Sequence, residues 1–152
     1  MDSFSTLIND IGRLLDVYWK TYLSGMGNTL VLAIVATLIG CVIGLVCGIL
    51  NTIPYTKSDS PVKRFFLKLI RAIIRIYVEV FRGTPMVLQA VFIYYGVPYV
   101  TNNAMRFDSV WVAAILIVSI NTGAYMAESV RGGIISIDPG QTEGAKAIGM
   151  NH

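Results

Sequence analysis

Charged side chains inside apolar stretches are where chemistry is sought first, because a charge in hydrocarbon is retained only where it is paired or used. Two such groups share one pattern, Glu79-Val-Phe-Arg82-Gly83 and Glu128-Ser-Val-Arg131-Gly132. In each, an acid and a base stand three residues apart, the spacing at which helical neighbours meet. Each pair can be satisfied within its own helix. Alternatively, Arg82 and Glu128 pair between helices and close one end of a path. A second group, Gln89, Ser119, Asn121, Thr122 and Tyr125, places polar atoms in otherwise apolar segments. Such atoms either hydrogen-bond between helices or line a route for a polar solute. The third group lies near the C-terminus. Asp138-Pro139 reads as a helix cap followed by a first helical residue, Gln141 sits three after Asp138 as in a capping box, and Gly149 suits the left-handed position past a helix end. The spacing predicts a short helix over 139–148, with Lys146 in the last turn, where a cation is favoured. At about ten residues it is too short to be stable alone in water. It therefore either connects membrane segments or docks on a partner.

Other chemistries are excluded. The chain has no Gly-x4-Gly-Lys-Ser/Thr phosphate loop, no His-Glu-x-x-His and no Gly-x-Ser-x-Gly. Its single histidine is the last residue, His152. Cys41 and Cys47 stand six apart within one apolar run, a spacing of neither a metal site nor a disulfide framework. No catalytic residue and no metal ligand set is expected, and the chain is read as not an enzyme.

The elements that must hold these groups are membrane helices. Of 152 residues, 55% are hydrophobic and 14% charged, against about 25% charged in a soluble domain. Residues 1–24 alternate with a helical period: Phe4, Leu7, Ile8, Ile11, Leu14, Leu15, Tyr18, Trp19 and Tyr22 form one face, with Asp10, Arg13, Asp16 and Lys20 opposite. This segment is expected to be an amphipathic helix lying on the bilayer, its aromatic end at the interface. It lacks the form of a secretory signal and is expected to be retained. Residues 29–50 are uncharged and long enough to span a hydrocarbon core of about 30 Å. Ala36, Gly40, Gly44 and Gly48 recur every four residues there, a stripe that lets helix backbones approach closely. Residues 51–75 hold six bases and one acid, which places them in the cytoplasm by the positive-inside rule; topology accounts for the basic run better than nucleic acid does. A second span is expected over 76–97, bent at Pro85, where the ring removes a helical hydrogen bond. A third covers 110–128. The N-terminus then lies outside and the C-terminus in the cytoplasm.

Several stretches carry a family resemblance. Glu143-Gly144-Ala145, then Gly149, resembles the EAA loop of ABC-transporter permeases, with Gly140 and Gln141 among the upstream matches and Gly144 in place of the first alanine. Tyr77-Val-Glu79-Val-Phe-Arg82-Gly83-Thr84-Pro85, with Gln89, Phe92, Tyr94, Tyr95, Gly96 and Pro98, resembles the second block of the polar-amino-acid importers. Together with Gly27-Asn28-Thr29-Leu30, the match covers about residues 25–149. The resemblance implies an all-α integral membrane protein with a MetI-like transmembrane domain of the type I importer kind. It would comprise an N-terminal amphipathic helix, three transmembrane helices and a short cytoplasmic coupling helix. It also implies a bacterial inner-membrane permease subunit for polar amino acids. Its partners would be an ABC ATPase subunit that binds the ATP, a second permease subunit and an external solute-binding protein. The chain stops at His152, before the Ile-x-Leu-Pro that closes the family's loop, so the domain is expected to be incomplete. The alternative expectation is a truncated, transport-incompetent fragment that only inserts or binds other subunits.

Overall fold

The computed structural model describes residues 2–54 and 60–150, and among them every regular element is helical. They are α1 (Asp2–Thr52), α2 (Pro61–Gly83), α3 (Met86–Val91), a π-helical turn (Phe92–Gly96), α4 (Val97–Val100), α5 (Val110–Ile135) and α6 (Pro139–Ala147). The chain divides into two compact units, Met1–Val35 and Ala36–His152.

In the first unit, α1 carries helical backbone through Ser24 and Gly25, where the sequence suggests a boundary between an interfacial helix and a first span. No proline or strong cap interrupts the segment, so the backbone hydrogen bonds continue. Thr29 adds a bond from its hydroxyl to the carbonyl of Gly25 at 2.9 Å. The apolar face stays uncovered, with Leu7, Ile11 and Leu14 about half exposed, and Lys20 stands over the Trp19 ring at 5.7 Å.

The second unit is built on α5. Gly40, Gly44 and Gly48 of α1 meet Thr122, Met126 and Val130 of α5, so two four-residue series run in register and in the same direction. A Cβ on Gly44 would lie 2.4 Å from that of Met126. The stripe is therefore a packing seam, since only a hydrogen side chain admits this approach. Gly123 opens a second approach: a Cβ there would meet the Tyr77 hydroxyl at 2.8 Å and Ile43 at 2.9 Å. Through that gap Tyr77 of α2 donates to the carbonyl of Ile120 at 2.6 Å. Ile74, Val78 and Ala127 form the buried centre, with Cys47, Leu50, Ile70 and Tyr77 around them. Elsewhere large apolar side chains face outward along the helices, as lipid requires and water does not tolerate.

By length and composition, α1 and α5 are each able to cross a membrane. The span expected over 76–97 is not one helix. α2 ends at Gly83, and the pair Pro61–Gly83 and Met86–Val100 is bent by 111°. Thr84, at φ −119° and ψ 143°, takes the extended conformation that a following proline imposes, and Pro85 cannot donate back into α2. α5 is longer than the span expected over 110–128, reaching Ile135. The connecting loop turns through Asn102 and Asn103, both at positive φ, which asparagine tolerates better than most residues.

Candidate functional site

Three groups of residues carry polar chemistry in this fold. The first is α6. Asp138 accepts from the amide of Gly140 at 2.7 Å, satisfying one of the orphan donors of the first turn. At the other end Gly149 sits at φ +82°, its amide donating to the carbonyl of Lys146, while the amide of Met150 donates to that of Ala145, both at 3.0 Å. That paired closure is the Schellman arrangement, and it needs a residue free to adopt positive φ. The helix covers nine residues, with Ile148 as its cap. Gly140, Gln141, Glu143, Gly144 and Gly149 are exposed and Ala145 is half-buried. Beside this polar surface stand Ile137, Ile148 and Met150, 55%, 78% and 62% exposed. A capped helix flanked by bare apolar side chains has the make-up of a docking element.

The second group sits at the bend. Gln89 is buried, 7% exposed. Its amide nitrogen lies 2.9 Å from the carbonyls of Phe81 and Thr84 and 2.7 Å from the Thr84 hydroxyl. Its amide oxygen accepts from Asn121 of α5 at 2.9 Å. The Thr84 hydroxyl in turn donates to the carbonyl of Val80 at 2.8 Å. Carbonyls released where α2 stops are thus taken up by side chains, as an apolar surrounding demands. Gln89 and Asn121 are brought together as a clamp between the broken span and α5. The remaining polar residues of the expected group are not brought to the same place. Ser119 is 2% exposed, and its hydroxyl has no partner among the described residues. Thr122 lies against Gly40 in the α1–α5 seam. Tyr125 opens onto a different cavity.

That cavity is the third group, a cleft of about 740 Å³ between α2 and α5. It collects all four residues of the expected charge cluster, Glu79, Arg82, Glu128 and Arg131, and adds Arg71 and Arg75. Glu128 pairs within its own helix: Arg131 donates from Nε at 2.9 Å and from a terminal nitrogen to the other carboxylate oxygen. Arg82 instead stands over the Tyr125 ring at 5.5 Å. Of the two arrangements left open by spacing, the local one forms at Glu128 and the interhelical pair does not. Glu79 makes no ion pair among the described residues. Spacing gives no sign of the Arg82–Tyr125 contact, because it joins helices 43 residues apart in sequence. Arg71 and Arg75, read from the sequence only as part of the basic run over 51–75, are further members of the cleft.

Comparisons with known proteins agree with this architecture. Residues 60–152 match the family described as binding-protein-dependent transport system inner membrane component. The chain is 35% identical over 128 residues to the arginine transport system permease protein ArtQ of Bacillus subtilis, covering 84% of this chain and 52% of that one. It is 33% identical over 129 residues to the glutamine transport system permease protein GlnP of Escherichia coli K12, covering 85% and 52%. The chain spans about half the length of the curated relatives it matches. Among solved structures it resembles one titled as an amino acid ABC transporter with histidines, at TM-score 0.73 and 32% identity, covering 91% of this chain and 57% of that one.

Proposed function

The chain belongs to the family of binding-protein-dependent transport system inner membrane components, and on that premise we propose that it serves as a permease subunit of an importer for polar amino acids. It is a membrane transport component and not an enzyme. The relatives' names mention arginine and glutamine, both polar amino acids, which supports that substrate class. The observation that carries the reading is α6. It is a helix capped at both ends, too short to stand alone, with Glu143, Gly144 and Ala145 on it and bare apolar side chains beside it. Its role is to seat in an ATPase subunit, which binds the ATP; this chain contributes no nucleotide loop. A second permease subunit and an external solute-binding protein complete the assembly. The N-terminus lies outside, with α6 in the cytoplasm; the six bases within residues 51–75 support that orientation. The parallel course of the α1 and α5 seam fits two spans crossing in the same sense.

The test is co-purification with the ATPase subunit produced alongside it. Glu143→Ala and a Gly140→Val, Gly149→Val pair should each lower ATPase recovery while leaving membrane insertion intact. Recovery at the unaltered level with every variant refutes the docking role.

A further inference from the structure

We propose that the cleft between α2 and α5 is a binding site for the phosphate headgroup of an anionic phospholipid. Four arginines and two glutamates line it, and Arg71 is engaged by the carbonyl of Ile53; with Arg71 set aside, the other three arginines exceed the two glutamates by one positive charge. Arg131 is neutralised by Glu128. Arg82 is held by Tyr125 through its π-face, a contact that leaves guanidinium N–H donors available to oxygen. Positive charge in excess beside hydrocarbon calls for a counter-anion, and planar N–H forks suit phosphate oxygens in pairs.

The surroundings select lipid over a soluble anion. Arg64, Lys68, Arg71, Arg75 and Arg82 fall on one stripe of α2 at helical spacing, leading into the cleft from the helix's N-terminal end. At the cleft itself Ile135 is 61% exposed, in the same lining as the arginines. A soluble phosphate has no use for an apolar rim, whereas the acyl chain of a lipid held there covers it. Basic pockets between helices at the cytoplasmic side are where acidic headgroups are held. The leaflet rests on the orientation proposed above; the binding itself does not.

The experiment uses the purified chain in neutral detergent, with bound lipid read by native mass spectrometry after incubation with equal phosphatidylglycerol and phosphatidylcholine. Phosphatidylglycerol should be retained preferentially. Removing two bases, Arg75→Gln with Arg82→Gln, should lower its retention by about thirtyfold, taking the usual surface contribution of each charge. Arg75→Lys should keep part of the retention, since the charge stays and the fork is lost. The pair Arg13→Gln, Lys20→Gln, remote in sequence on α1, should change nothing. Equal retention of the two lipids by the unaltered chain overturns the proposal, as does an equal loss in the α1 control pair. Displacement of the lipid by millimolar inorganic phosphate makes this a free-phosphate site and also overturns it. Symmetric lipid mixtures make the readout independent of sidedness, so failure here leaves the orientation and the permease reading standing.

Discussion

Replacing Gln89 by leucine tests whether the bend is held by its side-chain clamp. The side chain has two N–H donors and one oxygen acceptor. The donors serve acceptors on Phe81 and Thr84 at 2.7–2.9 Å, and the oxygen serves Asn121 at 2.9 Å. Three bonds are therefore lost at once. Side-chain bonds within membrane proteins average about 0.6 kcal/mol and reach about 1.7 kcal/mol, which puts the loss at about 2–5 kcal/mol. The upper part of the range applies because the Thr84 carbonyl is left without its side-chain donor at a helix end, and the Phe81 carbonyl keeps only the longer 3.4 Å contact from Asn121. Gln89→Glu should be at least as damaging, since a carboxylate brings acceptors to a place that needs donors. Denaturant titration in detergent, followed by circular dichroism, measures the stability change. Spin labels at the exposed positions Ile73 and Val100 report the bend itself, whose distance distribution should broaden in both variants. A double-mutant cycle with Asn121→Leu should give a coupling well above zero, because the two amides contact each other. A Gln89→Leu chain within about 0.5 kcal/mol of the unaltered one, the scatter of ordinary surface changes, with an unchanged distance distribution, refutes the clamp.

Further predictions concern packing, capping, charge and topology. Gly44→Ala should destabilise the α1–α5 seam by about 1–3 kcal/mol, the usual cost of overpacking, because its Cβ would stand 2.4 Å from that of Met126; in a Met126→Gly background, which lacks that Cβ, the added cost of Gly44→Ala should be smaller in the same unfolding assay. Gly149→Val should cost about 1–2 kcal/mol locally, because a β-branched residue is held at φ +82°, and hydrogen exchange over α6 should accelerate. The charge exchange Arg82→Glu with Glu128→Arg should not rescue assembly lost in the single variants, because Glu128 is bound to Arg131 and Arg82 to Tyr125; expression and gel filtration read the outcome. Single cysteines at Ser58 and Asn102, in a chain lacking Cys41 and Cys47, should be protected and labelled respectively by an impermeant thiol reagent in intact cells. The reverse pattern refutes the orientation.

Local chemistry can be read from the letters alone. Hydropathy and length mark the apolar runs in α1 and α5, since crossing hydrocarbon is a property of composition over some twenty residues. The ends of α6 were legible to within one residue, because Asp138, Pro139 and Gly149 act on their own neighbours. Pro85 marked where the second span yields. The size of that yield, 111°, was not legible, since a proline alone leaves a helix merely kinked. The tertiary structure decided it by supplying Gln89 and Asn121 to the freed carbonyls, from positions 32 residues apart. The same holds for the polar group as a whole. A buried glutamine that clamps backbone and one that faces a solute carry the same letter, and only the neighbours brought by α5 tell them apart. The glycine stripe likewise announces a close approach, but its partners Thr122, Met126 and Val130 emerge only in the folded unit. The choice of Arg131 over Arg82 as the partner of Glu128 belongs to the same class. Spacing allows both, and the contact of Arg82 with Tyr125 across two helices leaves the local pair as the one that forms.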